Sequence, residues 1–544
     1  MTERGADMSP RSDHQWKFNR RQALQLGAAG SLAAVAGARA IPAGASTTFT
    51  PLSHPAAPRP NLKKPIGTDL MPKIKHIVVV MLENQSYDSV LGTLSVDGVT
   101  PHGDGLLWGA SQSARALNTN PNGSGGTAQS FAMPTTAQLD SQPWQTWDAT
   151  WTQFLGSPTA QSIPTDPSKL NQGFVVSQSG PVAMGYFTPT QLPFLNSLAT
   201  TFPLADRWFC SAPAQTYPNR MFMMAGTSLG HLTTSLPGFE FMPPNGTILQ
   251  ALMQHNIPWK NYHCGSITGA GSMIWVGQAL GSRSMPGFGN HLYDISSYFS
   301  DAKNGTLPAV SLVDPNFGFS SGENPQDLQH ADAFMHDVIN AAMTGPGWKD
   351  TLVVWTFDEH GGYYDHVPPA KLGRPDNSVP DPSATYWAGN PSIPSFDYTG
   401  MRVPSGVVSP YAKPNYVSSV TYDHTSIMRL IEDKWNLPSF TARDAQANNP
   451  IVDMLDLSAT PAFKTPPTLA PKVRDRNNKV VSTGIGADTA PTADEVTWPD
   501  TNKPVTGKGY LRRQQYYTNQ AGTPNVNVTP YYQLLEQAWA TPPV

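Results

Sequence analysis

Two hydrophobic periods run along this chain. Short, uninterrupted apolar runs rich in β-branched residues occur at His76-Ile77-Val78-Val79-Val80-Met81-Leu82 and at Thr351-Leu352-Val353-Val354-Trp355-Thr356. Such runs predict strands buried on both faces, as in parallel sheets covered by helices. Residues 309–314 and Val403 to Val408 read as further strands. Met221 to Ala225, residues 246–256, residues 330–343 and His424 to Trp435 read as helices, the last amphipathic. Residues 100–172 are rich in Gly, Ser, Thr, Asn and Gln, with Trp144, Trp147 and Trp151 interleaved. This stretch predicts long loops over a rigid sheet, with the tryptophans packing them. The functional alternative is a pocket wall, since aromatic faces take sugars or choline-like cations. No internal repeat is evident.

The ends of the two strongest strands carry the candidate chemistry. The second run leads into Phe357-Asp358-Glu359-His360-Gly361-Gly362-Tyr363-Tyr364-Asp365-His366, and the first into Glu83-Asn84-Gln85-Ser86-Tyr87-Asp88. In open α/β sheets the ligand crevice lies beyond the carboxyl ends of strands. Adjacent carboxylates there repel unless a cation or a proton intervenes. Brought together by one sheet, the two pairs form a set of oxygen donors suited to a divalent metal. Taken singly, each pair reads equally well as a turn or helix cap.

A hydroxyl candidate lies in Cys210-Ser211-Ala212-Pro213-Ala214-Gln215-Thr216-Tyr217-Pro218-Asn219-Arg220, just before a helical run. At a helix start, free N–H groups favour anions, and a hydroxyl touching a metal loses its proton readily. Thr216 is therefore either a cap or a nucleophile. Arg220 either grips phosphate oxygens in a fork or pairs with a carboxylate. Among the histidines, His360 has the best position for catalysis, beside the carboxylate pair. His366 reads as a loop-fixing residue. His424, at a helix start, either faces the crevice or caps.

Three ordered motifs, Glu83-Asn84-Gln85-Ser86-Tyr87-Asp88, Thr216-Tyr217-Pro218-Asn219-Arg220 and Asp358-Glu359-His360-Gly361-Gly362 through Pro369, carry a family resemblance. Over about residues 73–440 the chain resembles the phosphoesterase family of bacterial and plant non-haemolytic phospholipases C and related bacterial acid phosphatases. The resemblance implies an alkaline-phosphatase-like, three-layer α/β/α sandwich with long loop insertions. It implies an exported, metal-dependent phosphoester hydrolase working through a phospho-enzyme. Glu83, Asn84, Asp358 and Glu359 match metal positions, Thr216 the nucleophile. His360 is carried as a further catalytic residue; Asn84, Arg220 and His424 as substrate contacts. The substrate is then a phospholipid or a smaller phosphoester. The chain departs from the family pattern at Asn324, where a histidine is expected, and over Asp140 to Trp147, which lacks one. These departures motivate two rivals: a phosphoryl- or glycosyl-transfer enzyme on the same scaffold, and a catalytically decayed carbohydrate- or surface-binding protein.

Composition narrows the partners. At 544 residues the chain can bury a large core. A formal charge of −4 does not suggest a nucleic-acid polyanion as partner, and none is expected. The 53 prolines, about twice the usual ~5% share, argue for ordered loops rather than a helical bundle. Two cysteines, Cys210 and Cys264, make no disulfide framework; one bond and two buried thiols both remain open. Residues 1–40 place Arg20-Arg21 before a weakly apolar Ala/Gly run ending in Ala38-Arg39-Ala40, the pattern of a twin-arginine signal peptide. The run is too weakly apolar for a stable membrane span. The domain reading follows: signal peptide at 1–40, linker and arm at 41–72, catalytic domain at 73–464, C-terminal extension packed on the core at 465–544. The twin-arginine export machinery is the implied partner, and the periplasm or the exterior the implied location. N-terminal sequencing of exported protein is expected to read from near Ile41, and Arg20→Lys with Arg21→Lys to block export. An intact Met1 on exported protein contradicts both.

Overall fold

A computed structural model describes residues 59–473 apart from 110–115, 139–142, 161, 236–241, 265–284, 318, 325 and 386–394. The expected signal peptide lies outside the described residues, as does the extension beyond residue 473, in which the sequence of Tyr531 to Trp539 reads as a docking helix. So do residues 139–142 of the segment without histidine.

The core is an eight-stranded sheet: β1 (His76–Leu82), β2 (Leu204–Ala205), β3 (Trp259–His263), β4 (Leu292–Asp294), β5 (Val310–Val313), β6 (Thr351–Phe357), β7 (Ser405–Val408) and β8 (Val417–Ser418). Their spatial order is β8-β2-β7-β6-β1-β5-β3-β4. β6, β1, β5, β3 and β4 run parallel; β7 is antiparallel to both neighbours. Every residue of β6, and β1 from Ile77 to Leu82, is buried. Helices therefore cover both faces, and this is why these strands show no alternation in the sequence.

The helices are α1 (Tyr87–Leu91), α2 (Trp147–Leu155), α3 (Pro193–Thr201), α4 (Thr216–Ala225), α5 (Ile248–Gln254), α6 (Ile295–Asn304), α7 (Leu328–Thr344), α8 (Thr425–Trp435), α9 (Ala442–Gln446) and α10 (Pro450–Met454). α3 and α6 pack on α7, forming one layer. α4, α9 and α10 pack on α8, with α5 on α4, forming the other. The result is the expected three-layer α/β/α sandwich. The strands and helices predicted within the described residues all form, with ends shifted by a few residues.

Residues 100–172 differ from expectation. They hold α2, capped by Thr146, whose Oγ1 accepts from Ala149 N, and stopped by left-handed Gly156. Four polar residues inside this helix (Asp148, Thr150, Thr152 and Gln153) flatten its hydrophobic period. The cap, the stop and the i, i+4 pair Trp147/Trp151 were the available signals. Trp147 and Trp151 are buried edge to face, 5.8 Å between centroids. Trp147 also meets Phe396 and Trp151 meets Tyr398, so both belong to the core and not to a pocket wall.

The flanking segments are tied down. Gly67 and Leu70 donate backbone hydrogen bonds to the last turn of α8, and buried Lys434 pairs with Asp69 at 2.7 Å. Beyond the catalytic region, Ala470 N bonds Ser197 of α3 and Lys472 pairs with Asp337 of α7. Cys210 is buried and Cys264 half-buried; both are free thiols.

Ile77, fully buried where β1 lies between β6 and β5, tests the core. Ile77→Ala is expected to cost about 2–5 kcal/mol in urea unfolding through lost burial and cavity formation. Val452→Ala, at a position 77% exposed, is expected to stay within about 0.5 kcal/mol.

Candidate active site

β1 and β6 pair in register from His76–Thr351 to Leu82–Phe357. The residues that follow, Glu83 and Asp358, therefore emerge side by side. Backbone bonds carry the alignment past the strands: Asp358 N to Leu82 O at 3.0 Å, Gln85 N to Glu359 O at 3.0 Å, and Glu83 N to Ser321 O at 2.8 Å. Asn84 turns through a left-handed conformation, φ 65°, and its N–H donates to Asp358 Oδ1 at 3.2 Å. Gly361, also at φ 65°, crosses so close that a Cβ there would lie 2.2 Å from Asn84 O. Only glycine permits that approach. Glu359 N donates to Asp358 Oδ1 at 2.8 Å, and Gly361 N to Glu359 Oε2 at 2.8 Å.

α4 supplies the remaining predicted residues. Asn219 binds the carbonyls of Ala212 and Ala214, folding the preceding loop onto the helix start. Arg220 is fully buried. Its Nε donates to Asp358 Oδ2 at 3.2 Å, its Nη2 to Leu82 O at 3.3 Å, and Nη2 lies 3.7 Å from Glu83 Oε1. The Phe317 ring covers the guanidinium at 5.0 Å. Thr216, buried at the first helical position, precedes Arg220 by four residues and so lies one turn away on the same face. Gln215 is the cap residue and its side chain makes no capping bond.

The charges at this edge do not balance. Glu83, Asp358 and Glu359 are fully buried. Burial, then repulsion from Glu323 and Asp358, raises the Glu83 carboxyl well above its usual range, against Arg220. Burial, then Asp358, raises Glu359 likewise. Burial also raises Asp358, opposed first by Arg220 and then by the N–H groups of Asn84 and Glu359. Among the described residues, the Arg220 guanidinium pairs with Glu83 and Asp358, while Glu359 and Glu323 add further negative charge. Glu83 Oε2, Asn84 Oδ1 and Glu359 Oε1 are buried without hydrogen-bond partners. Leaving such atoms unpaired is costly. The donor set is all oxygen and in excess of negative charge, which fits a hard or borderline divalent cation.

The histidines divide. His360 Nε2 bonds Gln153 Oε1 at 2.7 Å, and burial lowers its basicity to a pKa of about 3. His424, expected as a substrate contact, has both ring nitrogens occupied by protein. Nε2 bonds Asp358 O at 2.7 Å, and Nδ1 accepts from Trp208 Nε1 at 3.4 Å. It holds the Asp358 backbone from behind. His366 fixes its loop, as predicted. Its Nδ1 lies 2.7 Å from Asp88 Oδ2 and its Nε2 3.1 Å from Asp104 Oδ1. Asn324, in place of the expected histidine, accepts from Tyr363 Oη at 3.5 Å.

Sequence reasoning missed three participants. Asp314, buried, follows β5 as Asp358 follows β6, and binds Asn261 Nδ2 at 2.9 Å; the acid after the apolar run was its signal. Glu323 adds to the charge on Glu83 and Glu359 but lies outside any strand end. Gln153 comes from the unpredicted α2.

Among the described residues, the His, Cys, Asp and Glu side chains whose ligand atoms all lie within 4.8 Å of one another are Asp88, Asp365 and His366, not the Glu83, Asp358 and Glu359 set. The Asp88, Asp365 and His366 group already holds a cation of its own. Arg402, fully buried, donates to Asp365 Oδ1 at 2.8 Å and Asp88 Oδ1 at 3.1 Å, and Arg207 pairs with Asp104 at 2.6 Å.

Comparison with known proteins places the chain among enzymes that hydrolyse phosphoric esters. More narrowly, it belongs to the Phosphoesterase family, whose model matches residues 74–438. Non-specific phospholipase C3 of Arabidopsis thaliana is 29% identical over 430 residues, covering 74% of this chain and 77% of that protein. Phospholipase C B of Mycobacterium tuberculosis (strain ATCC 25618 / H37Rv) is 30% identical over 431 residues, covering 72% and 78%. A solved protein of the alkaline phosphatase superfamily from Vibrio parahaemolyticus aligns at 13% identity with a TM-score of 0.30, over 62% of this chain and 73% of that one. Among the described residues no helix is long and apolar enough to cross a membrane.

Burial works against the charged form of His366, but Asp88 and Asp104 outweigh it and raise its pKa to about 10. The ordinary value is about 6.5. A group raised on folding contributes stability fully present below its unfolded pKa and lost as pH rises through its folded one. Unfolding free energy is therefore expected to fall between pH 6.5 and about 10, and His366→Asn to flatten that decline, as read from urea melts across the range. An equal slope in both proteins contradicts the assignment.

Proposed function

We propose that the chain is an exported, metal-dependent phosphoester hydrolase of the phospholipase C type, with Thr216 as its nucleophile. The observation that carries this is the set of unpartnered, buried oxygens at Glu83, Asn84 and Glu359 around a deficit of positive charge. A divalent cation held by Glu83, Asn84, Asp358 and Glu359 would supply that charge and polarise a phosphoryl oxygen.

Thr216 Oγ1 gives up its proton and forms a bond to phosphorus. The bond from phosphorus to the leaving alcohol breaks, and the alcohol departs with a proton. Water then attacks the phosphothreonine and restores the hydroxyl; a second alcohol in that place makes the reaction a transfer. Arg220 retains Nη1 without a protein partner and presents it to the phosphoryl group. The Asp358 and Glu83 carboxylates orient the guanidinium, which avoids an entropy cost at the reaction. His424 acts through the Asp358 backbone as a positioning residue. The likeness to plant and mycobacterial phospholipases C supports a phosphodiester, and among these a phospholipid, as substrate. The Arg20-Arg21 segment supports a periplasmic or secreted location.

Thr216→Ala is expected to lower turnover roughly 10⁴-fold or more, as loss of a nucleophile does, while a lost helix cap costs only about 1 kcal/mol. Thr216→Ser is expected to retain measurable turnover. Intact-mass analysis of an acid-quenched reaction should show phosphorylated parent and unmodified Thr216→Ala. An alanine variant within tenfold of the parent makes Thr216 a helix-start residue only. Asp358→Ala and Glu359→Ala are each expected to lose most bound metal by elemental analysis with an unchanged circular dichroism spectrum; full retention in both removes the metal assignment.

A further inference from the structure

The two edges of the central sheet carry opposite charge. Glu83, Asp358 and Glu359 follow the carboxyl ends of β1 and β6. The amino edge is basic. Lys73 and Lys75 precede β1, and Lys349 lies in the turn that opens β6. Lys464 follows Phe463, whose carbonyl accepts from Trp348 Nε1 at 2.9 Å beside that same turn. Lys63 and Lys64 lie on the arm that leads into β1. All six lysines are exposed. The acids on this edge are committed elsewhere. Asp69 pairs with buried Lys434 and Asp350 with Lys75. Asp456 accepts from Ser458 N and Ala459 N of its own loop. Among the described residues, Lys63, Lys64, Lys349 and Lys464 have no carboxylate partner.

The arm adds apolar side chains to this charge. In Leu62-Lys63-Lys64-Pro65-Ile66, Leu62 is 75% exposed and Ile66 38%. The loop is nevertheless held in one shape. Asn436, buried in a left-handed conformation at the end of α8, accepts from Asn61 N at 2.8 Å. Its Nδ2 donates to the carbonyls of Asn61, Lys64 and Pro65 at 2.9, 3.0 and 3.1 Å. One buried amide thus fixes the backbone and leaves the side chains to solvent. Such order lowers the entropy cost of binding.

A lone exposed leucine carries no message. Exposed apolar residues interleaved with unpaired lysines, in a chain of net charge −4, form the pattern of an interfacial anchor. An acidic bilayer offers both negative charge and an apolar layer, whereas a soluble polyanion offers only the charge. The chain also enters the described region here, at Arg59, after residues 1–58 with their segment read as an export signal. A segment that engages a membrane is therefore joined to this edge. We propose that the amino edge of the sheet, with Leu62 and Ile66 at its apolar tip, docks on an anionic lipid bilayer. The seven residues of β1, at about 3.3 Å each, set this edge roughly 20 Å from the catalytic one. The bound protein would turn its carboxyl edge to the aqueous side, and a phosphoester would reach it from there. Docking here needs nothing from the catalytic residues.

The test uses the exported protein and measures co-sedimentation with vesicles of phosphatidylcholine, pure or with about a quarter phosphatidylglycerol. The parent should pellet with the anionic vesicles, less so as salt rises, and stay in solution with the neutral ones. Lys63→Ala with Lys64→Ala should weaken binding about thirtyfold. Leu62→Ser with Ile66→Ser should weaken it at every salt concentration. Lys371→Ala, which removes an exposed lysine from the loop after Pro369, should bind as the parent does. No binding to anionic vesicles, equal binding to both vesicle types, or undiminished binding in either double variant overturns the proposal. A loss in Lys371→Ala as large as in the Lys63 and Lys64 variant reduces the effect to net charge and also overturns it. Binding to soluble polyglutamate that is as tight as to vesicles, and indifferent to the Leu62 and Ile66 changes, assigns the edge to an acidic protein instead of lipid. Turnover of a soluble phosphoester should persist in the vesicle-bound enzyme; its loss on binding overturns the orientation. Circular dichroism checks that each variant folds, and the lipid and salt dependence of the parent decides where one does not.

Discussion

The gap-free parallel pairing of β1 with β6 is the constraint on which the site depends. Because Leu82 lies opposite Phe357, the next residues bring Glu83 and Asp358 together, and Asn84 and Glu359 one step further on. A slip of one residue would turn each buried strand over and dismantle the set. The pairing is enforced from behind by burial on both faces, which makes any other register expose apolar surface. It is enforced in front by backbone bonds that continue past the strands and by Gly361 crossing Asn84 at a distance no side chain permits. Sheet packing thus holds like charges together that would otherwise separate.

Two clusters of buried charge lie close in sequence on the catalytic loop and are balanced differently. Around Arg402, the acids Asp88, Asp365 and Asp104 meet two guanidinium groups and a His366 raised toward the charged form. Internally neutralised, that cluster ties α1, the catalytic loop and the approach to β7 into one piece. Around Asp358, among the described residues, Arg220 pairs with Glu83 and Asp358, Glu359 and Glu323 add negative charge, and donor atoms of Glu83, Asn84 and Glu359 are left unpaired. Buried ion pairs with full hydrogen bonding specify structure, whereas a buried excess of one sign marks a place built for a ligand. The comparison, more than the number of acids, separates scaffold from site.

The departures from the family pattern also find a place. Asn324 joins Tyr363 and Gln138 in a hydrogen-bonded group beside the catalytic loop, where a histidine would have brought a titratable ring. Trp144, in the segment that lacks histidine, is held by Ser179 and Gln153 against Gly362. Neutral amides and hydroxyls have taken over positioning work around an edge whose oxygen donors are intact.

The sequence by itself determined β1, β5, β6 and β7, since short apolar, β-branched runs bounded by turn signals favour buried strands; β2, β3, β4 and β8 carry no such run and were not read from it. It also determined which side chains would stand at the sheet edge, because a buried strand must end where charge begins: Glu83-Asn84 and Asp358-Glu359 are legible for that reason. Thr216 and Arg220 were legible as a pair one helical turn apart, but not whether Arg220 faced substrate or carboxylate. That was decided by where α4 brings the guanidinium, against Leu82 O and Asp358 at the ends of β1 and β6. Helix α2 escaped because its polar residues mask the period, and with it Gln153, whose amide meets His360 and Trp144. Asp314 and Glu323 reach the edge from other parts of the chain, and His424 turns its ring to the Asp358 carbonyl. Local periodicity specifies elements, because it concerns burial of one segment. Which oxygen is orphaned and which charge is balanced are sums over segments distant in sequence, and only the tertiary structure performs them.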